Sequence, residues 1–522
     1  MKTGQMQTGV RLAAFLLAAV FCVLACAGCA VTPSVGTEAN GTEAGTTGTG
    51  STVGITTATE TESTNGGGEG GAVPLALDEG ATVSFSPTGL RVTATVDKAY
   101  LDALRADYGE NAVKVGILFA PSDAISGNVF DVSGSKTVKV AASVLQTDGD
   151  VYRFGCTLTG LTKADYEKPY YAVAYAEANG KITRCSAFSK TANSRTLSVL
   201  AEEALLDLNG SKTGKYQYAV KVNGSNKYSP YTESQRDTLN ELRYPFSITV
   251  MSYNIEVYDS KNGWEGRNPD KALETVKEQS PDIVGFQEVN EKWDTKLAAF
   301  AKDAGYTRKE GGYCKYNFEK NEIFYKTDKF DFVAEGTVPF QQAASSLKVP
   351  NTEEADWDLD GVVRIFHYVV LTQKETGKKI LVVSAHLHYG GTGSGHEEDD
   401  KVRRYQIRAL LAWLEKQSAS FPYQIVMGDM NSHYKGNGQG AVNMQLFTDA
   451  GFKRTSDTAL VANDVGGTLA GDGRTQRDPW IFDYVLTKDN FEVATYTVVN
   501  NPVDNGKYPS DHIPVMARVR CK

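Results

Sequence analysis

Cysteine is scarce. Seven of the 522 residues are cysteine, too few for a disulfide scaffold at this length. Cys22, Cys26 and Cys29 lie in one N-terminal apolar segment, Cys156 and Cys185 could pair inside one module, and Cys314 and Cys521 read as free thiols. A basic excess is missing too. The formal net charge is −9, of which residues 1–30 carry +2, residues 31–80 carry −7 with no base among them, and the remainder −4. That excludes a globally cationic surface for gripping a polyanion and leaves only a local patch open. Large apolar residues are nearly absent from 31–72, so this stretch cannot bury enough surface to fold and reads as a tether. What remains, 41% hydrophobic and 22% charged, suits a soluble globular protein of two or three domains.

Residues 1–30 place Lys2 and Arg11 before the apolar run Leu12–Ala25 and then small residues, a secretory signal layout. Ala27-Gly28-Cys29 resembles the lipobox of bacterial lipoproteins, which implies lipidation of Cys29, an extracellular, cell-surface location and a membrane partner through the anchor. Val23-Leu24-Ala25-Cys26 is a poorer second match. An uncleaved membrane helix is the competing reading, because the run nearly reaches spanning length. After the 31–77 linker, short alternating runs separated by turn signals predict a β-sandwich over 78–200. Gly160-Leu161-Thr162 through Tyr170–Ala178 looks like the immunoglobulin-like modules of bacterial surface proteins. No acid/base cluster appears there, so a spacer or binding module is expected. Leu197–Leu208 reads as a helix, and 201–245 as helix and connector.

From 246 to 522 strands and helices alternate, which predicts an α/β domain. Asn268-Pro269-Asp270 starts a helix and Pro281 ends it. Several short polar groups adjoin apolar runs: Ser252-Tyr253-Asn254-Ile255, Gln287-Glu288-Val289, Ala385-His386-Leu387, Gly428-Asp429-Met430-Asn431, Phe482-Asp483-Tyr484-Val485 and Ser510-Asp511-His512-Ile513-Pro514-Val515. Each alone is weak, since a strand-end amide or an Asp-His pair is usually structural. Together they supply hard oxygen ligands and imidazoles, which titrate near neutrality. Such a set suits attack on an anionic phosphoester, where charge must be neutralised and water positioned in line. Glu288 is an oxygen ligand of the type that Mg²⁺ or Mn²⁺ prefers.

These motifs, in this order, resemble the endonuclease/exonuclease/phosphatase family of metal-dependent hydrolases. The resemblance spans about half the chain. It implies a four-layer sandwich of two β-sheets flanked by helices, with Mg²⁺ or Mn²⁺ as cofactor. It further implies that Asn254 and Asp511 join Glu288 at the metal, directly or through water. His512 resembles the catalytic histidine and Asp483 the acid that orients it. Asp429 and Asn431 match the pair that orients water and phosphate, and His386 the donor to a phosphate oxygen. Whether His512 or Asp429 takes the water's proton stays open. The substrate is a phosphodiester or phosphomonoester, with nucleic acid, a sphingomyelin-type lipid headgroup, an inositol phosphate or a small phosphodiester as candidates; no protein partner is identifiable. An inactive surface-binding protein of the same fold is the alternative outside enzymes.

Weaker features read as follows. Arg364 precedes His386 and either reaches phosphate or sits exposed on a strand. Arg403, Arg404 and Gln406 read as a solvated helix face. Asp356-Trp357-Asp358-Leu359-Asp360-Gly361 copies half an EF-hand loop, but His367 stands where its last ligand belongs. Gly390–Gly395 reads as a flexible loop near the site, and His388 and His433 have no assigned role.

Overall fold

A computed structural model describes residues 74–522, apart from 128, 185–193, 210–217, 223–224, 230, 258–268, 314–318, 357–362, 391–394, 436–437, 471–474, 501 and 503–505. The signal segment with Cys29 and nearly all of the 31–77 linker therefore lie outside the described residues. So do Cys185, Cys314, Asn268, most of the EF-hand-like stretch and the middle of the Gly390–Gly395 loop. No helix among the described residues is long and apolar enough to cross a membrane.

The N-terminal region is strand-rich. Strands β1 (Leu75–Phe85), β2 (Thr88–Asp97), β5 (Gln146–Asp148) and β6 (Val151–Leu158) form one sheet. Strands β3 (Val113–Pro121), β4 (Val138–Ala141), β7 (Pro169–Ala178), β8 (Lys181–Arg184) and β9 (Ser194–Thr196) form a second. The first strand begins at the buried Leu75, inside the stretch assigned to the linker. Helix α1 (Lys98–Tyr108), which the alternating pattern does not announce, is capped by Asp97. The 201–245 connector holds a hairpin of β10 (Tyr218–Val222) and β11 (Ser225–Ser229) and helix α3 (Glu233–Arg243), whose Thr232 and Gln235 form a capping box. Leucines of α3 and of α2 (Leu197–Asn209) complete the core of the strand-rich region.

The C-terminal domain has four layers. One sheet joins β12 (Ile248–Asn254), β13 (Ile283–Val289), β14 (Tyr306–Lys309), β15 (Lys320–Lys326), β21 (Val461–Asp464), β23 (Phe491–Val498) and β24 (Val515–Cys521) in the order β14-β15-β13-β12-β24-β23-β21. The other joins β16 (Phe330–Pro339), β17 (Ile365–Gln373), β18 (Lys379–His386), β19 (Tyr423–Asp429), β20 (Phe452–Arg454) and β22 (Asp483–Lys488) in the order β16-β17-β18-β19-β22-β20. Helices α4 (Pro269–Gln279) and α5 (Asp294–Asp303) cover the outer face of the first sheet. Helices α6 (Phe340–Leu347), α7 (Glu397–Gln417) and α8 (Gln439–Asp449) cover the second.

Both faces of each central strand are covered, so these strands read as unbroken apolar runs. Side chains alternate between the faces. In β18, Ile380 and Val382 point between the sheets while Leu381, Val383 and Ala385 meet the helices. In β12, Ile248 and Val250 point between the sheets while Met251 and Tyr253 meet the helices. Each such aliphatic side chain contributes about 1.5–3 kcal/mol when fully buried. Continuing that alternation brings Asn254, His386, Asp429 and Asp483 to the inter-sheet face at one end of the sandwich. Beneath them Gln287 closes the apolar core, donating to Ser384 Oγ (3.0 Å) across the sheets and accepting from Ser252 Oγ (3.4 Å).

Candidate active site

Asn254 ties the two sheets together. Its Oδ1 accepts from the Glu256 backbone N–H (3.0 Å), which fixes the amide orientation. Its Nδ2 then donates to Glu288 Oε1 (2.9 Å) on its own sheet and to Asp429 Oδ2 (3.1 Å) on the other. In this orientation Asn254 supports Glu288 and Asp429 through its amide nitrogen. Glu288 reaches the site by a different device. Strand parity alone would aim it at the helices, but β13 bulges against β15 between Phe286 and Val289, and Glu288 adopts φ +61°. Its Oε2 accepts from the Val257 N–H (3.0 Å).

Asp429 is the centre. Its Oδ1 accepts from the Asn431 N–H (2.8 Å), and its Oδ2 lies 3.4 Å from His386 Nε2 and 3.6 Å from His512 Nε2. Gly428 lets its strand approach β18 so closely: at φ +149°, a Cβ there would collide with the Ala385 carbonyl oxygen. Asn431 takes a left-handed φ of +44° and donates to the Leu387 carbonyl (3.2 Å). His512 Nδ1 donates to Asp483 Oδ2 (2.8 Å), which leaves Nε2 facing Asp429. His386 is held from behind. The Arg364 guanidinium lies 3.0 Å from Nδ1 and pairs with Glu319, whose carboxylate oxygen is itself 3.2 Å from Nδ1.

The electrostatics follow from crowding in a buried place. Burial, then Glu319 and Asp511 close by, push the Glu288 carboxyl above its usual range against the opposing pull of His386 and Asn254. Burial likewise raises Asp483 although His512 opposes it. Burial disfavours a charged His512, but the carboxylates Asp483 and Asp429 outweigh it and hold the ring well above its ordinary value. Two groups of possible metal-ligating atoms overlap here: Glu288, His386 and Asp429, and Asp429, Asp483 and His512.

All eight non-lipid candidates from the sequence thus meet at one end of the sandwich, with Asp511 close enough to act on Glu288. Residues that sequence reasoning missed frame them. Glu319 carries no motif. Thr468 accepts from the backbone N–H groups of Phe482 and Asp483 (3.0 and 3.2 Å), and its carbonyl accepts from Ile513 N–H (2.7 Å), so one loop seats both members of the His512–Asp483 pair. Arg364 is buried, which overturns its exposed alternative. Arg403, Arg404 and Gln406 are buried as well, contrary to the solvated face expected of them. Arg403 binds Asp400 (2.8 Å) and the His388 carbonyl (3.2 Å), while Gln406 accepts from the His388 N–H (2.7 Å). Together they clamp the chain leaving His386. His388 bonds Asp399 (2.8 Å), and His433 accepts from the Ile481 N–H (3.0 Å). Cys156 Sγ faces the Val140 carbonyl (3.3 Å).

Residues 251–512 match the Endonuclease/Exonuclease/phosphatase family. The chain belongs to that family. Among solved structures, an endonuclease/exonuclease/phosphatase family protein from Bacteroides thetaiotaomicron is 23% identical, with a TM-score of 0.42, over 52% of this chain and 97% of its own. A mannosyl-6-phosphatase from the same species is 22% identical, with a TM-score of 0.42, over 52% and 99%. The human Nocturnin catalytic domain is 19% identical, with a TM-score of 0.38, over 53% and 95%. No curated protein matches the chain.

Proposed function

We propose that this protein is a divalent-metal-dependent phosphoester hydrolase that attacks phosphorus with water. The observation that carries this is the Asn254 amide bonding Glu288 and Asp429 at once, with Asp429 between two histidines. Among the described residues, that arrangement gathers the carboxylates Glu288, Glu319, Asp429, Asp483 and Asp511 with one guanidinium, Arg364. The excess negative charge and hard oxygen donors fit Mg²⁺ or Mn²⁺, held by Glu288 and Asp511 with Asn254 steadying Glu288. When bound, the ion supplies charge neutralisation for the phosphoryl group.

The chain's own residues do the rest. Asp429, its carboxylate fixed by Asn254 and by the Asn431 N–H, orients the attacking water. The water's proton passes to the Asp429–His512 pair, whose facing atoms are 3.6 Å apart. Asp483 keeps His512 in the tautomer that presents Nε2. His386 and Asn431 donate to phosphate oxygens, and the Arg364–Glu319 pair holds the His386 ring in place. The substrate is a small phosphodiester or phosphomonoester, with nuclease and sphingomyelinase-type activity as the competing substrate readings. A panel of these esters assayed with Mg²⁺, Mn²⁺ and Ca²⁺ tests the reading: turnover that needs added metal and stops on chelation is expected, and undiminished turnover after exhaustive chelation contradicts it.

On the same footing we propose the location. Residues 1–30 act as a signal, Cys29 carries a lipid, 31–77 form a tether, and the strand-rich 78–200 region is an immunoglobulin-like spacer before the 246–522 domain. Its contacts support a spacer. Arg520–Glu167 (2.6 Å) and Lys163–Glu375 (3.0 Å) lie at the strand ends remote from His512 and His386. Mass spectrometry of the mature N-terminus decides it: a lipidated Cys29 is expected, and an intact Met1 refutes cleavage.

A further inference from the structure

The strand-rich region also meets the catalytic domain along β21, the last strand of the seven-stranded sheet. An edge strand is laddered on one side only, and natural sheets cover such edges. Here the β10–β11 hairpin and α2 pack beside β21. Val461, at the start of β21, is buried in the apolar core of the strand-rich region together with Leu239 and Leu242 of α3, and Leu460 packs against the same core. One strand therefore serves two bodies. Its backbone pairs with β23, and its leading side chain lies in the neighbouring core.

The other end of β21 leads to the reacting groups. Its ladder shifts register between Ala462 and Asp464. Asp464 then accepts from the Gly466 N–H (2.9 Å) and from both terminal nitrogens of Arg477 (2.7 and 3.1 Å), while Arg477 Nε donates to the Gly467 carbonyl. Every nitrogen of this guanidinium is engaged by the chain itself, in the planar fork that suits bidentate pairing. Residues 468–470 follow and lie between two other segments. On one side the Thr468 N–H donates to the Trp480 carbonyl (2.7 Å) and the Asp478 N–H to the Leu469 carbonyl (3.0 Å). A Cβ on Gly467 would collide with the Asp478 carbonyl, so only glycine permits this approach. On the other side the Ile513 N–H donates to the Thr468 carbonyl (2.7 Å) and the Ala470 N–H to the Asp511 carbonyl (2.8 Å). Leu469 pairs with His512, and the Thr468 hydroxyl seats Asp483.

We propose that the strand-rich region is a positioning element of the hydrolase: by closing over β21 it fixes the Asp464–Arg477 fork, and the fork fixes the 468–470 segment that seats the His512–Asp483 pair. The inference rests on the phosphoester reading above and goes beyond the spacer role. Val461, Asp464 and Arg477 are positioning residues, which act on the reaction through that segment. Geometry at the reacting groups is unforgiving, since a shift of about 1 Å set off by a distant substitution can cost about 10²-fold in rate. Loosening the grip on β21 is therefore legible in kcat.

Steady-state kinetics on the full chain, with 4-nitrophenyl phosphate and its methyl diester, tests this together with hydrogen exchange read by mass spectrometry. Arg477→Met should lower kcat about tenfold and Val461→Ala about threefold, each with KM within about twofold of wild type. With Asp483→Asn already present, the further loss in kcat from either substitution should shrink to about twofold or less, because both act through the pair that is already impaired. Exchange at 468–470 and 511–513 should quicken about tenfold in both variants and stay within about twofold of wild type in Val92→Ala, which opens the same core on β2. Val461→Ala trims one aliphatic side chain, so this arm stands even if Arg477→Met folds poorly. The proposal is overturned if folded Val461→Ala leaves exchange at both segments unchanged, if Val92→Ala quickens it equally, or if the kcat losses multiply in full with that of Asp483→Asn. No turnover of either ester with Mg²⁺ or Mn²⁺ would instead defeat the hydrolase reading, and the exchange comparison would then still decide the coupling.

Discussion

Glu288 and Glu322 are carboxylates on neighbouring strands of the same sheet, and their surroundings answer burial in opposite ways. Glu322 belongs to a group with Asp294 and Glu310 that also has metal-like spacing. Two cations sit inside that group. Arg308 binds Glu322 through two nitrogens, at 2.7 and 2.8 Å, and Asp294 at 2.5 Å, and Lys320 binds Glu310 at 3.1 Å. Around Glu288, among the described residues, the acids outnumber the guanidinium of Arg364, and the nearby rings are imidazoles. Ligand spacing alone would score both groups alike; counting the cations separates them. The first is an ion-pair network that holds strands together, and the second, among the described residues, is short of positive charge.

Substitutions sharpen that contrast. Glu288→Gln should lower kcat/KM by about 10³-fold, the several kcal/mol expected when a charge-neutralising ion is lost, with fold and urea midpoint nearly unchanged. Arg308→Met should do the reverse. It leaves the fully buried Glu322 with Lys320 alone, at 3.6 Å, and costs about 3 kcal/mol of stability, read from the urea midpoint, while the metal dependence of any remaining folded protein is unaltered. A metal requirement that changes with Arg308→Met would break the distinction.

Asp483→Asn should reduce turnover by about 10²-fold with the fold intact, because an amide can present its nitrogen to Nδ1 and no longer stabilises a charged ring. A fully active, folded variant would disprove the pairing with His512. A smaller effect separates the site's histidines from a structural one. His367 is buried in β17 against Thr337 Oγ1 (3.1 Å), and burial pushes its ring down to about 4. Its folded value is thus below its unfolded value of 6.5. The stability it brings is complete above that value and is lost as pH falls toward the folded one. Between pH 7 and pH 5 the loss should be about 2 kcal/mol, and His367→Gln should flatten it in urea titrations. An unchanged pH profile would show that His367 is not buried neutral.

The sequence made the strand ends legible and left their supports obscure. Asn254, His386, Asp429 and Asp483 could be read because each stands at one end of an apolar run, and period-two alternation carries each onto one face. Glu288 could be named from its motif, but not the bulge and positive φ that turn it inward, since nothing in Gln287-Glu288-Val289 encodes them visibly. Arg403 and Asp400 lie in a run of charges at the start of α7 that looks like a wetted helix face. They are buried because they bond each other and the loop carbonyl of His388, partners that sequence distance hides. Thr468 and Glu319 gave no signal for the same reason. Strand β16 also went unannounced, being an edge strand with several exposed positions and no clean alternation.

The central claim is that the Glu288 group is short of positive charge and takes a divalent cation. Isothermal titration of Mn²⁺ into the metal-stripped protein, its Glu288→Gln variant and its Arg308→Met variant tests it most directly. The account predicts saturable binding in the wild-type protein, its loss in Glu288→Gln and its retention in folded Arg308→Met. Binding that persists in Glu288→Gln and disappears in Arg308→Met would place the ion at the other acidic group and contradict the account.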